Sequence, residues 1–155
     1  EGGIRAIDSS DGMQSQGLYV QSSGPNTSFS GGAGLLSTAN DYARFLQMTL
    51  NGGELDGQRI LSRKTIELMT TDHLGSIPFR DGQGFGLGFF VVTDLGERGI
   101  LGSEREYGWG GAYHTTYWVD PAEELVVVYL TQLIPAQGID DYSKLRSGIY
   151  QAIID

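Results

Sequence analysis

Apolar positions follow a helical period in the first half of the chain. The spacing predicts a helix over about 41–51, with Thr38 and Asp41 as a capping box and Asn51-Gly52-Gly53 as its stop. Its apolar residues recur at i, i+3, i+4 and i+8, which places them on one helix face. They are Tyr42, Phe45, Leu46 and Leu50.

Two more helices are predicted from capping residues and spacing. One begins after Ser62 as N-cap, with Leu61 and Ile66 placed as a hydrophobic staple. The other closes the chain and begins at Asp140 or Asp141. Its helical spacing is carried by Tyr142, Leu145, Ile149, Ala152 and Ile153.

Between these helices the period changes to two, which predicts strands. Over 84–93, phenylalanine, leucine and valine alternate with glycines, so a strand with one close-packed glycine face is expected. A second strand is predicted over 112–119, and residues 120–124 form a hairpin connection. A third strand covers 125–132, and because Leu125 to Leu130 are apolar on both faces it is predicted to be central and buried.

The order of elements predicts an α+β fold, an antiparallel meander with helices packed on it. One domain is expected over 1–155. Residues 1–30 are rich in Ser, Gly, Gln and Asn and are predicted to be largely irregular, with a turn at Gly24-Pro25-Asn26 and a short strand at 18–20.

The charge and composition of the chain limit the kinds of binding partner that are expected. The formal net charge of −9 argues against nucleic acid and against an anionic membrane surface, since both require clustered Lys and Arg. The chain has no cysteine, which excludes disulfides and thiolate metal sites but assigns no compartment. The 24 glycines, without a collagen-like period, indicate turns and close backbone approaches.

Several common catalytic motifs are absent. His73 and His114 lack metal-ligand spacing, so no metal is expected. Gly84-x-Gly86-x-Gly88 lies inside a predicted strand, whereas a dinucleotide fingerprint lies between a strand and a helix, so no cofactor is expected. The chain contains neither G-x-S-x-G nor S-x-x-K, since Ser62 has a lysine at +2 and not at +3.

The unusual segment is 107–118, where aromatic and polar residues flank two glycines. Paired glycines followed by a free N–H allow a substrate carbonyl to approach the backbone closely. The alternative is a β-bulge beside aromatic core residues. The spacing alone favours the bulge.

Several motifs, taken together, resemble the β-lactamase-related serine hydrolases, which include class C β-lactamases, D,D-peptidases and related carboxylesterases. The resemblance covers about 29–132, and its motifs occur in the family's order. They are Ser30-Gly-Gly-Ala-Gly-Leu-Leu-Ser-Thr-Ala-Asn-Asp-Tyr-Ala-Arg-Phe45, Asn51-Gly-Gly-Glu-Leu-Asp-Gly57, Leu61-Ser-Arg-Lys-Thr65, Gly84-Phe-Gly-Leu-Gly88, Tyr107-Gly-Trp-Gly-Gly111 and Val119-Asp-Pro121.

This resemblance implies a serine β-lactamase/transpeptidase-like fold, of which the chain is the C-terminal portion. Trp109, Gly110 and Gly111 stand where the family has its third active-site motif, in a form similar to the esterase branch. The N–H of Ala112 is then half of an oxyanion hole. His114 is either a substrate contact or a hydrogen-bonded structural histidine. The family's Ser-x-x-Lys and Tyr-x-Asn-like motifs are missing, and Tyr107, Tyr113 and Tyr117 are interpreted as structural aromatics.

Two functional hypotheses follow. The chain is part of an acyl-serine hydrolase of esters or amides and is inactive alone, or it is a free-standing non-catalytic domain that binds a ligand or a protein. Esters, β-lactams and D-Ala-D-Ala peptides all stay open as substrates. The resemblance also places two strands of a five-stranded sheet upstream and leaves three here. Self-association as a homo-oligomer, or pairing with a complementing upstream segment, is therefore expected.

Overall fold

A computed structural model describes residues 37–133, 136 and 138–154. Residues Thr38–Asp155 belong to one compact unit. The elements in chain order are α1 Ala39–Leu50, β1 Glu54–Leu55, β2 Gln58–Arg59, α2 Arg63–Met69, β3 Gln83–Phe85, β4 Phe90–Val92, α3 Leu95–Arg98, β5 Tyr107–Gly110, β6 Thr116–Asp120, β7 Leu125–Tyr129 and α4 Asp141–Tyr150.

The main sheet has five strands in the order β3-β4-β5-β6-β7, all antiparallel, and is therefore a meander. β1 and β2 form a separate two-stranded hairpin. This arrangement confirms the predicted α+β class. The irregular 1–30 segment and the strand at 18–20 lie outside the described residues, and the single domain over 1–155 stays a prediction.

The N-terminal cap of α1 agrees with the capping box predicted from the sequence. The Thr38 Oγ1 accepts a hydrogen bond from the Asp41 N–H at 3.1 Å, and the helix begins at Ala39, two residues before the predicted start. Leu46, fully buried, packs into a core with Phe89, Val91, Tyr107 and Val119. The predicted apolar face of α1 therefore covers one face of the main sheet.

The second predicted cap is also confirmed. The Ser62 Oγ accepts from the Thr65 N–H at 3.0 Å, and Ile66 is buried one turn later. In α4 the N-cap is Asp140, which makes no side-chain capping bond. Tyr142, Leu145 and Ile149 are half-buried, but the buried residue of this helix is Arg146.

The single strand predicted over 84–93 is wrong: the segment is a hairpin, with β3 paired to β4. The chain reverses where the Gly86 N–H donates to the Phe89 carbonyl at 2.8 Å and Gly88 takes a φ of +95°. Apolar residues continue to alternate with glycines through the turn, so the sequence pattern does not indicate that the chain reverses there. Close approach at two glycines is confirmed, because a Cβ at Gly84 would lie 2.2 Å from the Asp72 side chain and one at Gly86 2.1 Å from the Met69 carbonyl oxygen.

The strand predicted over 112–119 begins too early. The chain makes a strand at Tyr107–Gly110, turns through 111–115, and returns as Thr116–Asp120. The turn is closed by the Gly111 N–H, which donates to the Thr115 carbonyl at 2.9 Å. The connection predicted over 120–124 is confirmed except that Asp120 is the last residue of β6, and its carboxylate accepts from the Ala122 N–H at 3.1 Å.

The strand predicted over 125–132 is shorter and less buried than predicted, and its central place in the sheet is not confirmed among the described residues. β7 ends at Tyr129, lies at one end of the described sheet, and has all five residues half-buried. α1 packs against this strand, and its last residue, Tyr129, contacts Asp141 and Tyr142 of α4. The count of three strands is wrong as well, because residues 83–129 alone supply five. No helix in the described ranges is both long and apolar enough to cross a bilayer.

Candidate active site

The candidate site lies where strand β5 loses its neighbour on one side. β4 pairs with β5 only opposite Tyr107 and Gly108, whereas β6 continues alongside as far as Gly110. From Trp109 onward, the β4 side of this strand has no paired strand in the described part of the chain. An extended backbone with an open edge can hydrogen-bond a ligand as a strand would.

Ala112 lies in the 111–115 turn, two residues beyond the end of this strand. Both backbone groups of Gly111 are used inside the turn, since its N–H donates to Thr115 and its carbonyl accepts from the His114 N–H at 3.1 Å. Ala112 is exposed, and its N–H has no hydrogen-bond partner among the residues described. A free donor directly after two glycines is what the oxyanion interpretation requires.

All five predicted site residues border one cavity of about 520 Å³. Trp109, Gly110, Gly111 and Ala112 form its rim along the strand edge, and His114 lies further along the turn. Its remaining wall comes from the stretch before β3, the β3–β4 hairpin, α3 and the loop after it, the turn and β6, and α4. Those residues are Arg80, Gln83, Phe90, Arg98, Ile100, Thr115, Thr116, Tyr117, Trp118, Tyr142 and Arg146.

Trp109 is a fixed wall of this cavity. Its ring meets Phe85 edge-on at 5.0 Å and stacks on Phe79 at 6.4 Å between centroids. The guanidinium of Arg80 sits 5.1 Å over the same ring. Such contacts hold an aromatic side chain in one orientation, and the half-buried indole gives the cavity an apolar side.

His114 faces helix α4. Its Nε2 lies 2.7 Å from Asp141 Oδ1, and its ring stacks on Tyr142 at 4.0 Å with a 5° interplanar angle. The backbone at His114 has a φ of +62°, a left-handed conformation that persists only where surrounding contacts enforce it. These contacts support the structural alternative for His114, which joins the turn to α4 while bordering the cavity.

Asp141 is the centre of this attachment. Its second oxygen accepts from the Tyr129 hydroxyl at 2.9 Å, so one carboxylate bonds to groups from the turn and from β7. The His114 hydrogen bond, followed by that of Tyr129, lowers the pKa of Asp141 below its usual range. The hydrogen bond between Tyr129 and Asp141 raises the pKa of the Tyr129 hydroxyl. The carboxylate form of Asp141 is therefore favoured.

A buried ionic cluster lies behind the cavity. Glu106 is fully buried and accepts from Arg98 Nη2 at 2.8 Å and from Arg146 Nη1 and Nη2 at 2.7 and 2.8 Å. The Tyr150 hydroxyl reaches both Glu106, at 3.1 Å, and Asp120, at 2.8 Å. Burial opposes ionisation of Glu106, but the two guanidinium groups outweigh it and hold its pKa below the ordinary value.

The three tyrosines flanking the glycines all make contacts within the fold. The Tyr107 hydroxyl is bonded to Thr49 Oγ1 at 2.9 Å, and burial raises its pKa to about 12. Tyr117 packs on Tyr42 at 4.9 Å, and burial likewise raises its pKa. Tyr113 lies in the turn, where its carbonyl accepts from Thr131. These environments agree with a structural interpretation of all three.

Residues that the sequence did not single out complete the site. Arg80 and Phe79 come from the irregular stretch between α2 and β3, where no period predicts what they contact. Asp141 was predicted only as a possible helix cap. An acidic residue at a helix start gave no sign that it bonds a histidine 27 residues upstream. In the described ranges no group of three or more His, Cys, Asp or Glu residues is arranged to hold a metal ion.

Comparison with known proteins identifies the family to which this chain belongs. The family model described as Beta-lactamase matches residues 4–144, so the chain belongs to the β-lactamase family of serine hydrolases. Protein Rv1367c of Mycobacterium tuberculosis is 40% identical over 121 residues, which cover 70% of this chain and 30% of that protein. A protein of Escherichia coli O157:H7 named "Putative D-alanyl-D-alanine carboxypeptidase" is 32% identical over 105 residues, covering 66% of this chain and 23% of that protein.

Solved structures agree on the fold. EstCE1, titled "a hydrolase with promiscuous acyltransferase activity", matches with a TM-score of 0.65 and 28% identity over 78% of this chain and 32% of its own. A putative 6-aminohexanoate-dimer hydrolase from Bacillus anthracis matches with a TM-score of 0.50 and 21% identity, over 74% of this chain and 28% of its own. The chain thus spans about a third or less of each of these proteins.

Proposed function

We propose that this chain supplies the oxyanion side of an acyl-serine hydrolase of esters or amides. The carrying observation is the N–H of the exposed residue Ala112, which has no hydrogen-bond partner in the described part of the chain and lies in the turn directly after Gly110-Gly111, at the border of a cavity. In this mechanism a serine outside these residues attacks the substrate carbonyl and forms an acyl-enzyme. The Ala112 N–H then donates to the developing oxyanion, together with the N–H of the serine itself.

The other predicted residues have distinct roles in this proposal. The Trp109 ring forms an apolar wall for the substrate. Gly110 and Gly111 allow the turn to pack closely, because a Cβ would lie 3.0 Å from the Thr115 carbonyl oxygen at Gly110 and 2.5 Å from Thr115 Oγ1 at Gly111. His114 is a positioning residue: its bond to Asp141 holds the 111–115 turn against α4. Family membership and the hydrolase EstCE1 support ester or amide substrates, and the proposal extends this to the complete protein.

The alternative, a free-standing binding domain, shares the prediction for the isolated chain and differs only in expecting no acyl-enzyme chemistry in any longer protein. Because the 155 residues contain no Ser-x-x-Lys, we expect the purified chain to give no burst of product with 4-nitrophenyl acetate or a chromogenic cephalosporin. A complete protein that carries that motif is expected to give one. A stable covalent serine adduct on the isolated chain, seen by mass spectrometry, would contradict this expectation.

The oxyanion role itself is tested by Ala112→Pro in the complete protein, since proline removes the N–H. Loss of one such donor lowers kcat about 10²–10³-fold with little change in KM. Leu130→Pro, just beyond the end of β7 and outside the cavity lining, serves as a matched control. Thermal unfolding of both variants separates a folding defect from a lost donor. Full kcat in a folded Ala112→Pro enzyme would refute the assignment.

A further inference from the structure

The 111–115 turn is hydrogen-bonded to the segment that follows β7. The hydroxyl of Thr131, a half-buried residue two positions beyond that strand, lies 2.7 Å from the Tyr113 carbonyl oxygen and 2.5 Å from the His114 carbonyl oxygen. One side chain therefore bonds to two consecutive carbonyls of the turn, at distances typical of hydroxyl donors. The two bonds link the turn to a part of the chain 17 and 18 residues further on.

The turn's own hydrogen bonds do not replace this link. The Gly111 N–H donates to the Thr115 carbonyl at 2.9 Å, and the His114 N–H donates to the Gly111 carbonyl at 3.1 Å. Both bonds lie inside the turn, so they close it without fixing its orientation relative to its surroundings. Asp141 holds the imidazole of His114, whereas Thr131 holds the backbone, and within the described ranges it is the only donor to the His114 carbonyl.

The backbone of His114 shows why a bond to its carbonyl matters. Its φ of +62° is a left-handed conformation that a residue with a side chain adopts only when surrounding contacts enforce it. A bond to the imidazole leaves the peptide plane after His114 free to rotate. A bond to the carbonyl fixes that plane, because the oxygen must point at the Thr131 hydroxyl. Thr131 therefore constrains the strained residue directly.

We propose that Thr131 is a positioning residue for the Ala112 N–H. Its hydroxyl holds the carbonyls of the two residues that follow Ala112, and so fixes the direction of that donor. The inference rests on the proposed function, since the direction of the N–H affects the rate only if it binds an oxyanion. Thr131 is not among the residues that line the cavity, so it acts through the turn and not on the substrate.

Hydrogen exchange of the 155-residue chain tests the anchoring without any turnover. Thr131→Val replaces the hydroxyl by a methyl group of similar size. The amides of Gly111 and His114 should then exchange about five- to tenfold faster, the effect of losing one hydrogen bond. Thr131→Ser keeps the hydroxyl and should restore slow exchange. Thr70→Val is the matched control, because it removes another half-buried hydroxyl that bonds to a backbone carbonyl at 2.9 Å, at the end of α2, and it should leave the turn unchanged.

Kinetics of the complete protein test the positioning. In folded enzyme, Thr131→Val should lower kcat about tenfold with little change in KM, because a misdirected donor weakens only transition-state binding. Thr131→Ser should recover most of the rate, and Thr70→Val should keep it. Turn exchange in Thr131→Val no faster than in Thr70→Val, or full kcat in folded Thr131→Val, would overturn the inference. If Ala112→Pro abolishes turnover while Thr131→Val does not, only the positioning role fails. Full kcat in Ala112→Pro would instead refute the proposed function.

Discussion

Neutralising Glu106 tests whether the ionic cluster behind the cavity holds the fold together. Glu106→Gln preserves the side chain's size but removes the charge that faces Arg98 and Arg146. Glu106 is fully buried, and the side chains of the two arginines are 3% and 11% exposed. The variant therefore leaves two buried cations with one carboxylate, Asp120, which bonds to Tyr150. Burying an unpaired charge is among the costliest single changes in a protein.

The magnitude follows from the geometry. Removing one partner of a buried ion pair costs about 3–5 kcal/mol, because the remaining charge cannot recover its hydration. We take about 3 kcal/mol, since the amide oxygen of glutamine can still accept two of the four hydrogen bonds. With a urea m-value of about 2 kcal/mol per M, the midpoint should fall by about 1.5 M. The melting temperature should fall by about 10 °C.

Urea denaturation followed by circular dichroism measures this, with Glu54→Gln as the control. Glu54 pairs with Arg59 at 2.7 Å, but both side chains are about half-exposed, and such pairs contribute less than about 1 kcal/mol. A Glu106→Gln variant no less stable than Glu54→Gln would refute the reasoning, because it would mean that the buried arginines find other partners.

The pH dependence gives a second check with a definite sign. The pKa of Glu106 is lower in the folded protein than its ordinary value of 4.5. Its stabilisation is therefore fully present above the unfolded-state pKa and is lost as pH falls through the folded-state pKa. The difference in unfolding free energy between the wild type and Glu106→Gln should stay constant from pH 7 to about 5 and shrink at lower pH.

Two further predictions concern the glycines and the turn. Gly86→Ala should destabilise by about 1–3 kcal/mol in urea denaturation, because its Cβ would lie 2.1 Å from the Met69 carbonyl oxygen. Gly148 lies inside α4, and a Cβ there would have no other atom within 4 Å, so Gly148→Ala should stabilise the protein by about 0.5–1 kcal/mol. Stability changes of the same sign in both variants would contradict this reasoning. His114→Ala and Asp141→Ala should each speed amide exchange over 111–115, and the double variant should exchange no faster than the faster single variant. Additive effects would mean that the two residues act independently.

The elements that the sequence predicted well are those whose signal is local. Thr38 and Ser62 were recognised as helix caps because a hydroxyl three residues before an N–H donor is a short-range pattern. The α+β class and the connection over 121–124 follow from period and turn residues in the same way. Family motifs also placed Trp109, Gly110, Gly111 and Ala112 on one surface, and all four border the cavity.

The wrong predictions concern features that a two-residue hydrophobic period does not specify. Alternating apolar residues continue through the turn at Gly86–Phe89, so one strand was predicted where two pair with each other. An apolar run such as Leu125 to Leu130 looks the same whether it is central or at the end of a sheet. The partner of His114 could not be foreseen, because Asp141 meets it through packing of α4 on the sheet.

Strand β5 is anchored on both faces immediately before its edge becomes free. Glu106 enters the ionic cluster on the α4 side, and the next residue, Tyr107, bonds to Thr49 of α1 on the opposite side. Beyond the glycines, His114 ties the turn back to α4. The Ala112 N–H thus lies between two fixed points only a few residues apart. An oxyanion donor lowers a barrier most when it needs no reorganisation at the moment of reaction. In the proposed mechanism, buried groups that do not contact substrate therefore hold the turn that carries the Ala112 N–H.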